Sequence, residues 1–503
     1  MQPIDFFIRA AKLHLHKCAV HEVPSNRKLS HQELLDQSWA LGTAFQSLSG
    51  KDRPTIAILA GNSIEMLLGI LAAYATSGVL VPLTPTMVEA DIARQLDCVK
   101  PDLVLFEPAY EGLIESYQGV RISTVDASPI SVQNLLARFA GTLPVRSNVR
   151  LDETVAIKFT GGSSGVPKAV LQSFRCINTM VASLLLAYEI DEHERFLIAP
   201  PMTHGAGTFV LPVLAAGGSL VVLGKPTAEQ LHETMGTLQV TSTWMPPTLL
   251  YKLLEVQKLK GGSFPRLKNI LYGGAPCPTT LIQETIRHFG PVLGVTYGLT
   301  EAPVIMAGMS GALGSLPENC GSAGRVGLLA AVAVMDAQGV VSFEPNKLGE
   351  IVASGDLLMT GYMAMPEQTD AFLKDGWFRT GDIGYIDERG FVFIKGRSKD
   401  VIISGGFNVY PSDVEDVYSR HAQIAECVVF GVSDEIWGER VEMAVVPVQA
   451  ETVSSAELIG YGKEKLGSVR TPKTIHILDH FPKNELGKVN KQLIVNSLRG
   501  ASQ

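Results

Sequence analysis

Apolar and polar positions repeat along this chain with two periods that take turns. Thr55-Ile56-Ala57-Ile58-Leu59 and Asp102-Leu103-Val104-Leu105-Phe106 are short apolar runs and predict strands. Ser30-His31-Gln32-Glu33 has the form of a capping box and opens a helix carrying Leu34, Leu35, Trp39, Leu41 and Phe45. Asn62-Ser63 predicts the cap of a further helix from about Ile64. The uncharged stretch from Met66 to Leu83 approaches the length of a membrane span. Gly78 divides it, however, and a helix feeding the core strand Val79-Leu80-Val81-Pro82-Leu83 is the better reading. Further on, Val155, Ile157 and Phe159 alternate with Ala156 and Lys158, the signature of a half-buried strand.

Residues 190–310 keep the α/β rhythm. Strands are expected at Phe196 to Pro200, Ser219 to Leu223, Ser242 to Met245, Asn269 to Tyr272 and Val292 to Tyr297. Open parallel sheets bind ligands beyond the carboxyl ends of their strands. His204, Gly274, Tyr297 and Glu301 all follow such ends. From about 320 the pattern changes to short strands and turns. Phe378-Arg379-Thr380-Gly381-Asp382 leads into a hairpin of Gly384 to Asp387 and Phe391 to Lys395, turning at Glu388-Arg389-Gly390. Gly396-Arg397-Ser398-Lys399-Asp400 is a polar break before about a hundred residues of α/β pattern, a domain-sized piece. The expected division is therefore 1–397 and 398–503.

The strand ending at Phe159 runs into Thr160-Gly161-Gly162-Ser163-Ser164-Gly165-Val166-Pro167-Lys168. Glycines let successive amide N–H groups turn inward around an anion, hydroxyls add donors, and Lys168 adds a point charge. This is chemistry for holding a polyphosphate, although Gly and Ser are also ordinary turn residues. It is not a Walker A loop, which needs Lys followed by Ser or Thr; here Ala169 follows.

Composition narrows the classes. The 503 residues are 46% hydrophobic and 18% charged, which suits a multi-domain globular chain rather than disorder. A formal net charge of -8 and the lack of any Lys/Arg run argue against a nucleic-acid partner. Arg9 and Lys12 interrupt the N-terminus too early for a signal peptide, and the six cysteines are scattered without a C-x-x-C pair. A cytoplasmic protein with reduced thiols and no transmembrane segment is expected.

Five stretches occur in one order: Thr160–Lys168, Tyr297–Glu301, Thr380-Gly381-Asp382, Gly396–Pro411, and Pro482-Lys483-Asn484-Glu485-Leu486-Gly487-Lys488. Together they resemble the adenylate-forming superfamily of acyl-CoA synthetases, luciferases and peptide-synthetase adenylation domains, over nearly the whole chain. The resemblance implies an α/β fold. Its large N-terminal domain has parallel-rich sheets with helices plus a small barrel-like subdomain, and its small C-terminal α+β domain is mobile. It implies ATP, Mg²⁺ and coenzyme A. Thr160, Ser163, Ser164, Gly165 and Lys168 would contact the β- and γ-phosphates. Thr300 would bond the α-phosphate and Glu301 would hold Mg²⁺, a reading that outweighs the plain one of a helix-start acid. Gly274, Ala275, Pro276, Tyr297 and Gly298 would form the adenine slot. Asp382 would accept both ribose hydroxyls, and Arg397 would add charge nearby. Each also has a plain reading, as a core tyrosine, a turn aspartate or a solvated arginine. Lys488 would be the catalytic lysine, lowering the repulsion between carboxylate and α-phosphate. Two departures stand out. The loop has Gly161 where the family commonly has serine, and Ala169 where it commonly has glycine.

The same resemblance places the acid between His204, Gly205, Ala206, Trp244, Gly273, Pro303 and Val304. His204 would sit beside the carboxylate, where an interior histidine is otherwise structural. Gly205-Ala206-Gly207 is expected to leave room, and no acid closely follows His204 to pair a substrate amine. An apolar medium-chain, aryl or alicyclic acid is therefore expected. Gly405, Gly406 and Phe407 resemble the lining of a pantetheine tunnel, and Lys399 lies where the family's hinge residue does. The expected reaction is ATP-dependent ligation of the acid to coenzyme A. Loading of a carrier protein and a non-enzymatic nucleotide binder stay open as alternatives, as does a homodimer.

Overall fold

The strands expected from the apolar pattern assemble into two large sheets in the computed structural model. It describes residues 1–125, 128–160, 167–435, 437–448, 454–482, 489 and 491–500, the side chains of 492, 499 and 500 excepted. The first sheet has seven strands, in the order Gly361–Tyr362, Lys168–Ser173, Thr154–Thr160, Val79–Pro82, Thr55–Leu59, Leu103–Phe106, Val120–Ser123. Its last five are parallel, and the first two are added antiparallel. The second has nine, in the order Arg325–Val326, Ala307–Met309, Leu293–Tyr297, Asn269–Gly273, Ser242–Met245, Arg195–Ile198, Ser219–Val222, Cys18–Glu22, Arg27–Ser30. Its strands from Leu293–Tyr297 through Cys18–Glu22 pair in parallel.

Helix Ile64–Ala75 explains the long apolar stretch. Every residue of it except Glu65 is buried, as befits a helix enclosed on all sides rather than one lying on a surface. Ser63 caps it by accepting from the Met66 N–H at 3.1 Å, and the chain then turns through Ser77 and Gly78 into strand Val79–Pro82. Among the described residues no helix is long and apolar enough to cross a membrane. One apolar core runs through this helix, His31–Ser49 and Phe174–Tyr188 to both sheets, joining Leu41, Leu71, Phe174, Phe209 and Trp244.

The strand Thr154–Thr160 departs from expectation. It is covered on both faces: Val155 and Ile157 are buried on one, and Ala156 is buried on the other. Lys158, next on that second face, is half-buried. Alternation of Ile with Lys suggested one open face, but helix Phe174–Tyr188 closes it.

Asn62 does not cap a helix. Its Nδ2 lies 3.2, 2.9 and 3.1 Å from the carbonyls of Ala199, Pro200 and Leu223, which share its two N–H bonds. Its Oδ1 accepts from the Met202 N–H at 2.8 Å. Next to it, Glu22 accepts from the Ile64 N–H at 2.9 Å. One amide thus ties the carboxyl end of strand Thr55–Leu59 to those of Arg195–Ile198 and Ser219–Val222, in the other sheet.

The remaining strands form two antiparallel-rich sheets. Six of them, Ala331–Met335, Val341–Ser342, Gly349–Ser354, Leu373–Lys374, Trp377–Ile386 and Val392–Arg397, pair antiparallel throughout. The smaller C-terminal domain holds a five-stranded sheet of Ile402–Ser404, Phe407–Val409, Ile424–Asp434, Gly438–Pro447 and Thr474–Ile477. It has its own core around Ile402, Val414, Tyr418, Val429 and Leu458. It touches the large domain through Thr279, whose hydroxyl donates to Asp416 at 2.6 Å, and through the Lys395–Asp413 pair at 2.8 Å.

Asn62→Ala leaves buried carbonyls and one N–H without partners and should lower stability by about 3 kcal/mol. Asn62→Asp sets a carboxylate against those carbonyls and should lower it further. Urea unfolding followed by tryptophan fluorescence reads both, and equal stability of Asn62→Asp and wild type would show that the amide does not join the sheets.

Candidate functional site

Strand register builds the first half of the site. Trp377–Ile386 and Val392–Arg397 form the hairpin expected from the turn at Glu388-Arg389-Gly390, and the pairing places Asp382 opposite Arg397. Arg397 Nε lies 2.9 Å from Asp382 Oδ1, and its Nη1 donates to the Thr380 carbonyl at 3.1 Å. Tyr297, at the end of strand Leu293–Tyr297, donates its hydroxyl to Asp382 Oδ2 at 2.7 Å. Each carboxylate oxygen keeps a free lone pair, so Asp382 still accepts two further hydroxyls. Its side chain is only 8% exposed. That burial raises its pKa above the ordinary aspartate value, against the pull of Arg397 and Tyr297. Burial, then the Asp382 charge, pushes the Tyr297 hydroxyl well above the ordinary tyrosine value, which keeps it a donor.

Gly273 pairs with Thr296, so the next residue, Gly274, comes beside Tyr297. Gly274 has φ +78°, a conformation that favours glycine, and it is exposed with Pro276. The Gly274–Pro276 turn and Tyr297 thus meet at adjacent strand ends above Asp382.

The second half is the loop after Tyr297. Gln172 Nε2 donates to the Thr300 carbonyl at 2.8 Å, and the Met359 N–H donates to the Glu301 carbonyl at 2.7 Å. Tyr362 donates to Glu301 Oε1 at 2.8 Å. Among the described residues no donor reaches the other oxygen of Glu301. Lys168 Nζ sits 4.8 Å from the centre of the Tyr362 ring and 4.7 Å from that of Phe372, a cation–π cradle. Thr160 pairs with Lys168 across the hairpin of Thr154–Thr160 and Lys168–Ser173, so these two residues are the last pair before its connecting loop. Ser163, Ser164 and Gly165 lie outside the described residues, as does Lys488.

Among the described residues no three acidic, histidine or cysteine side chains cluster as a metal cage. A single carboxylate is what Mg²⁺ needs when phosphates and water complete its octahedron, and Glu301 fits that role.

Trp244 packs against two of the expected acid-pocket residues, Gly205 and Gly273. Its Nε1 donates to Thr296 at 2.9 Å, and a Cβ added at Gly205 or Gly273 would run into the Trp244 ring or the Thr296 hydroxyl. A Cβ at Gly207 would strike the Met202 carbonyl. The expectation that Gly205-Ala206-Gly207 leaves room is therefore corrected. The glycines serve close packing, and Ala206 between them is fully buried. His204 Nδ1 lies 2.7 Å from the Thr203 hydroxyl. Pro303 is buried, and Val304 holds φ +67°, an outlier for a β-branched residue, with its backbone against Gly298. Lys399, Gly405, Gly406 and Phe407 are exposed, the last three on the small domain. Tyr362, Phe372 and Gln172 carried no local signal, because their roles arise from strand pairing across long sequence separations.

The family of AMP-binding enzymes matches residues 7–363, and its C-terminal domain matches residues 413–488. A medium/long-chain-fatty-acid–CoA ligase of Mycobacterium tuberculosis is 31% identical over 93% of this chain and 85% of its own. The amide bond synthetase McbA of Marinactinospora thermotolerans superposes with TM-score 0.88 at 26% identity, covering 99% of each chain. The o-succinylbenzoate CoA synthetase of Bacillus subtilis, solved with its acyl-adenylate intermediate, superposes with TM-score 0.86 at 27% identity over 97% of each.

The raised pKa of Asp382 gives a signed pH dependence. Its carboxylate is lost at a higher pH than an ordinary aspartate loses its own, so ATP affinity should begin to fall above that range on acidification. Asp382→Asn should weaken ATP binding roughly tenfold to hundredfold at neutral pH and abolish that acid limb. Calorimetric titration with ATP across pH checks both.

Proposed function

Because this chain belongs to the family of AMP-binding enzymes, we propose that it activates an apolar carboxylic acid with ATP and passes the acyl group to coenzyme A. In the first half-reaction a carboxylate oxygen attacks the α-phosphorus, the bond to the β-phosphate oxygen breaks, and pyrophosphate leaves. In the second, the thiol sulfur attacks the acyl carbonyl, its proton passes to solvent, and AMP leaves.

The observation that carries this reading is Asp382, held between Tyr297 and Arg397 with a lone pair left on each oxygen. A buried carboxylate so placed, beside an exposed Gly274 turn, suits a ribose with its base against Tyr297. Lys168 and Thr160 face the phosphates, and Thr300 and Glu301 are fixed by their carbonyls to Gln172 and Met359. When bound at Glu301, Mg²⁺ would neutralise developing phosphate charge. Lys488 draws the two anions together, and the residues around Trp244 surround the acid. The six free cysteines support a reducing, cytoplasmic setting. We assign residues 398–503 as the domain that reorients between half-reactions, pivoting near Lys399. Similarity to McbA favours one second reading, in which an amine replaces the thiol.

A panel of carboxylic acids scored for pyrophosphate release, with coenzyme A, with an amine and with neither, tests the reaction; release from no acid would sink it. Glu301→Gln should keep the fold and lose most adenylation. Lys399→Pro should form acyl-AMP but little thioester, since proline fixes φ where a hinge must change it. Lys488→Ala should do the reverse with supplied acyl-AMP. If both remain folded and lose both half-reactions, the alternating mechanism is wrong.

A further inference from the structure

Beneath the expected acid pocket lies a cavity of about 30 Å³. Helices Ile64–Ala75 and Phe174–Tyr188, strands Val79–Pro82 and Thr154–Thr160, and the segment after Met202 enclose it. Its wall is apolar, with Ile70, Met180 and Met202 typical, except for Tyr74, Lys158 and Thr208. The Thr208 hydroxyl is already committed to the Gly205 carbonyl. Among the described residues, no hydrogen bond or ion pair reaches the Lys158 ammonium or the Tyr74 hydroxyl.

An unpaired ammonium in such a place is expensive, and proteins keep one where it has a partner to meet. Lys158 retains some accessible surface, but burial still pushes its pKa down to about 8, as expected when its open side is a cavity rather than bulk water. The Cys176 thiol nearby opposes that shift only weakly, and burial holds the Tyr74 hydroxyl protonated. No Asp or Glu lines the cavity, so a counter-charge has to enter from outside.

Position says what could bring it. Lys158 is two residues before Thr160, on the same face of the strand and about 7 Å back from the phosphate hairpin. Met202, Gly207 and Thr208 line the cavity and flank His204, Gly205 and Ala206, which are expected to meet the acid. The cavity has room for a small group only. Water would satisfy hydrogen bonds there but not the charge. A carboxylate does both, accepting from the ammonium on one oxygen and from the phenol on the other.

We propose that this cavity is the far end of the acid pocket, and that Lys158 and Tyr74 pair there with a second carboxylate at the distal end of an otherwise apolar acid. The substrate is then a short dicarboxylate with an apolar body, activated at one end only. This inference rests on the function proposed above and names the substrate class of the same site.

The test pairs acids that differ at the far end: hexanoate, octanoate and decanoate against adipate, suberate and sebacate, and phenylpropanoate against its ring-carboxylated analogue. Pyrophosphate release should favour the dicarboxylate in at least one pair by about tenfold or more in kcat/KM, since a site built for a polar group rejects the analogue without it. Lys158→Met should erase that preference, leave the KM for ATP unchanged, and melt higher than wild type at pH 7. The sign follows from the lysine: a folded pKa below the unfolded value destabilises the native state as pH falls toward 8, and methionine removes that penalty. Tyr74→Phe should lower turnover of dicarboxylates alone, by a smaller factor. Equal losses on both members of every pair, or no effect of Lys158→Met on dicarboxylates, would overturn the proposal. If no acid releases pyrophosphate, the adenylation reading fails, and calorimetry with the same dicarboxylates judges the subsite by itself. Binding that Lys158→Met abolishes supports it, and binding indifferent to Lys158 overturns it.

Discussion

The amide of Asn62 is the constraint on which the rest of the large domain depends. Parallel strands leave their carboxyl ends with carbonyls that no neighbouring strand covers, and here two sheets bring such ends to one place. A single side chain with two donors and one acceptor satisfies groups from both. The segment from Pro200 to His204 is anchored by this amide; it carries the histidine and leads into Gly205, packed against Trp244, and Gly207, packed against the Met202 carbonyl. The meeting of the sheets and the placing of His204 are therefore one event.

Around that junction the site divides by stiffness. Asp382, Tyr297 and Arg397 belong to strands whose register sets their separations. Thr300, Glu301 and Val304 belong to a loop held by Gln172, Met359 and the Tyr362 hydroxyl, with a valine in a costly backbone conformation. Tyr362 links the strand hairpin to that loop, since its ring supports Lys168 and its hydroxyl donates to Glu301. One aromatic residue thus contacts both a cation and an anion.

Much of this was legible in the chain, for identifiable reasons. The Asp382–Arg397 pair follows from a hairpin whose turn residues announce it. Helix Ile64–Ala75 and strand Val79–Pro82 follow from a glycine that breaks an apolar run. What escaped was non-local. Asn62 looks like a cap because its neighbours in sequence are a serine and a helix, while its partners lie far along the chain. Lys158 looks like an open-face residue because alternation counts polar positions and cannot see a helix laid over them. Gly205 and Gly207 look like room because a missing side chain signals space and close approach equally. Lys488 and the serines of the phosphate loop lie outside the described residues, so their part in the site stands on the sequence alone.

The ion pair of Arg397 with Asp382 has a mechanical side. Arg397 is the last residue of its strand, and the single turn Ser398–Asp400 follows at once. The arginine is thus the final fixed bearing of the large domain before the chain departs for the small one. In the proposed mechanism, a swivel that begins at Ser398 would swing everything beyond it and leave the Asp382–Arg397 pair where it was. A mixed anhydride made in one pose could then be kept in place, without a second binding step, while the lever that made it turns away.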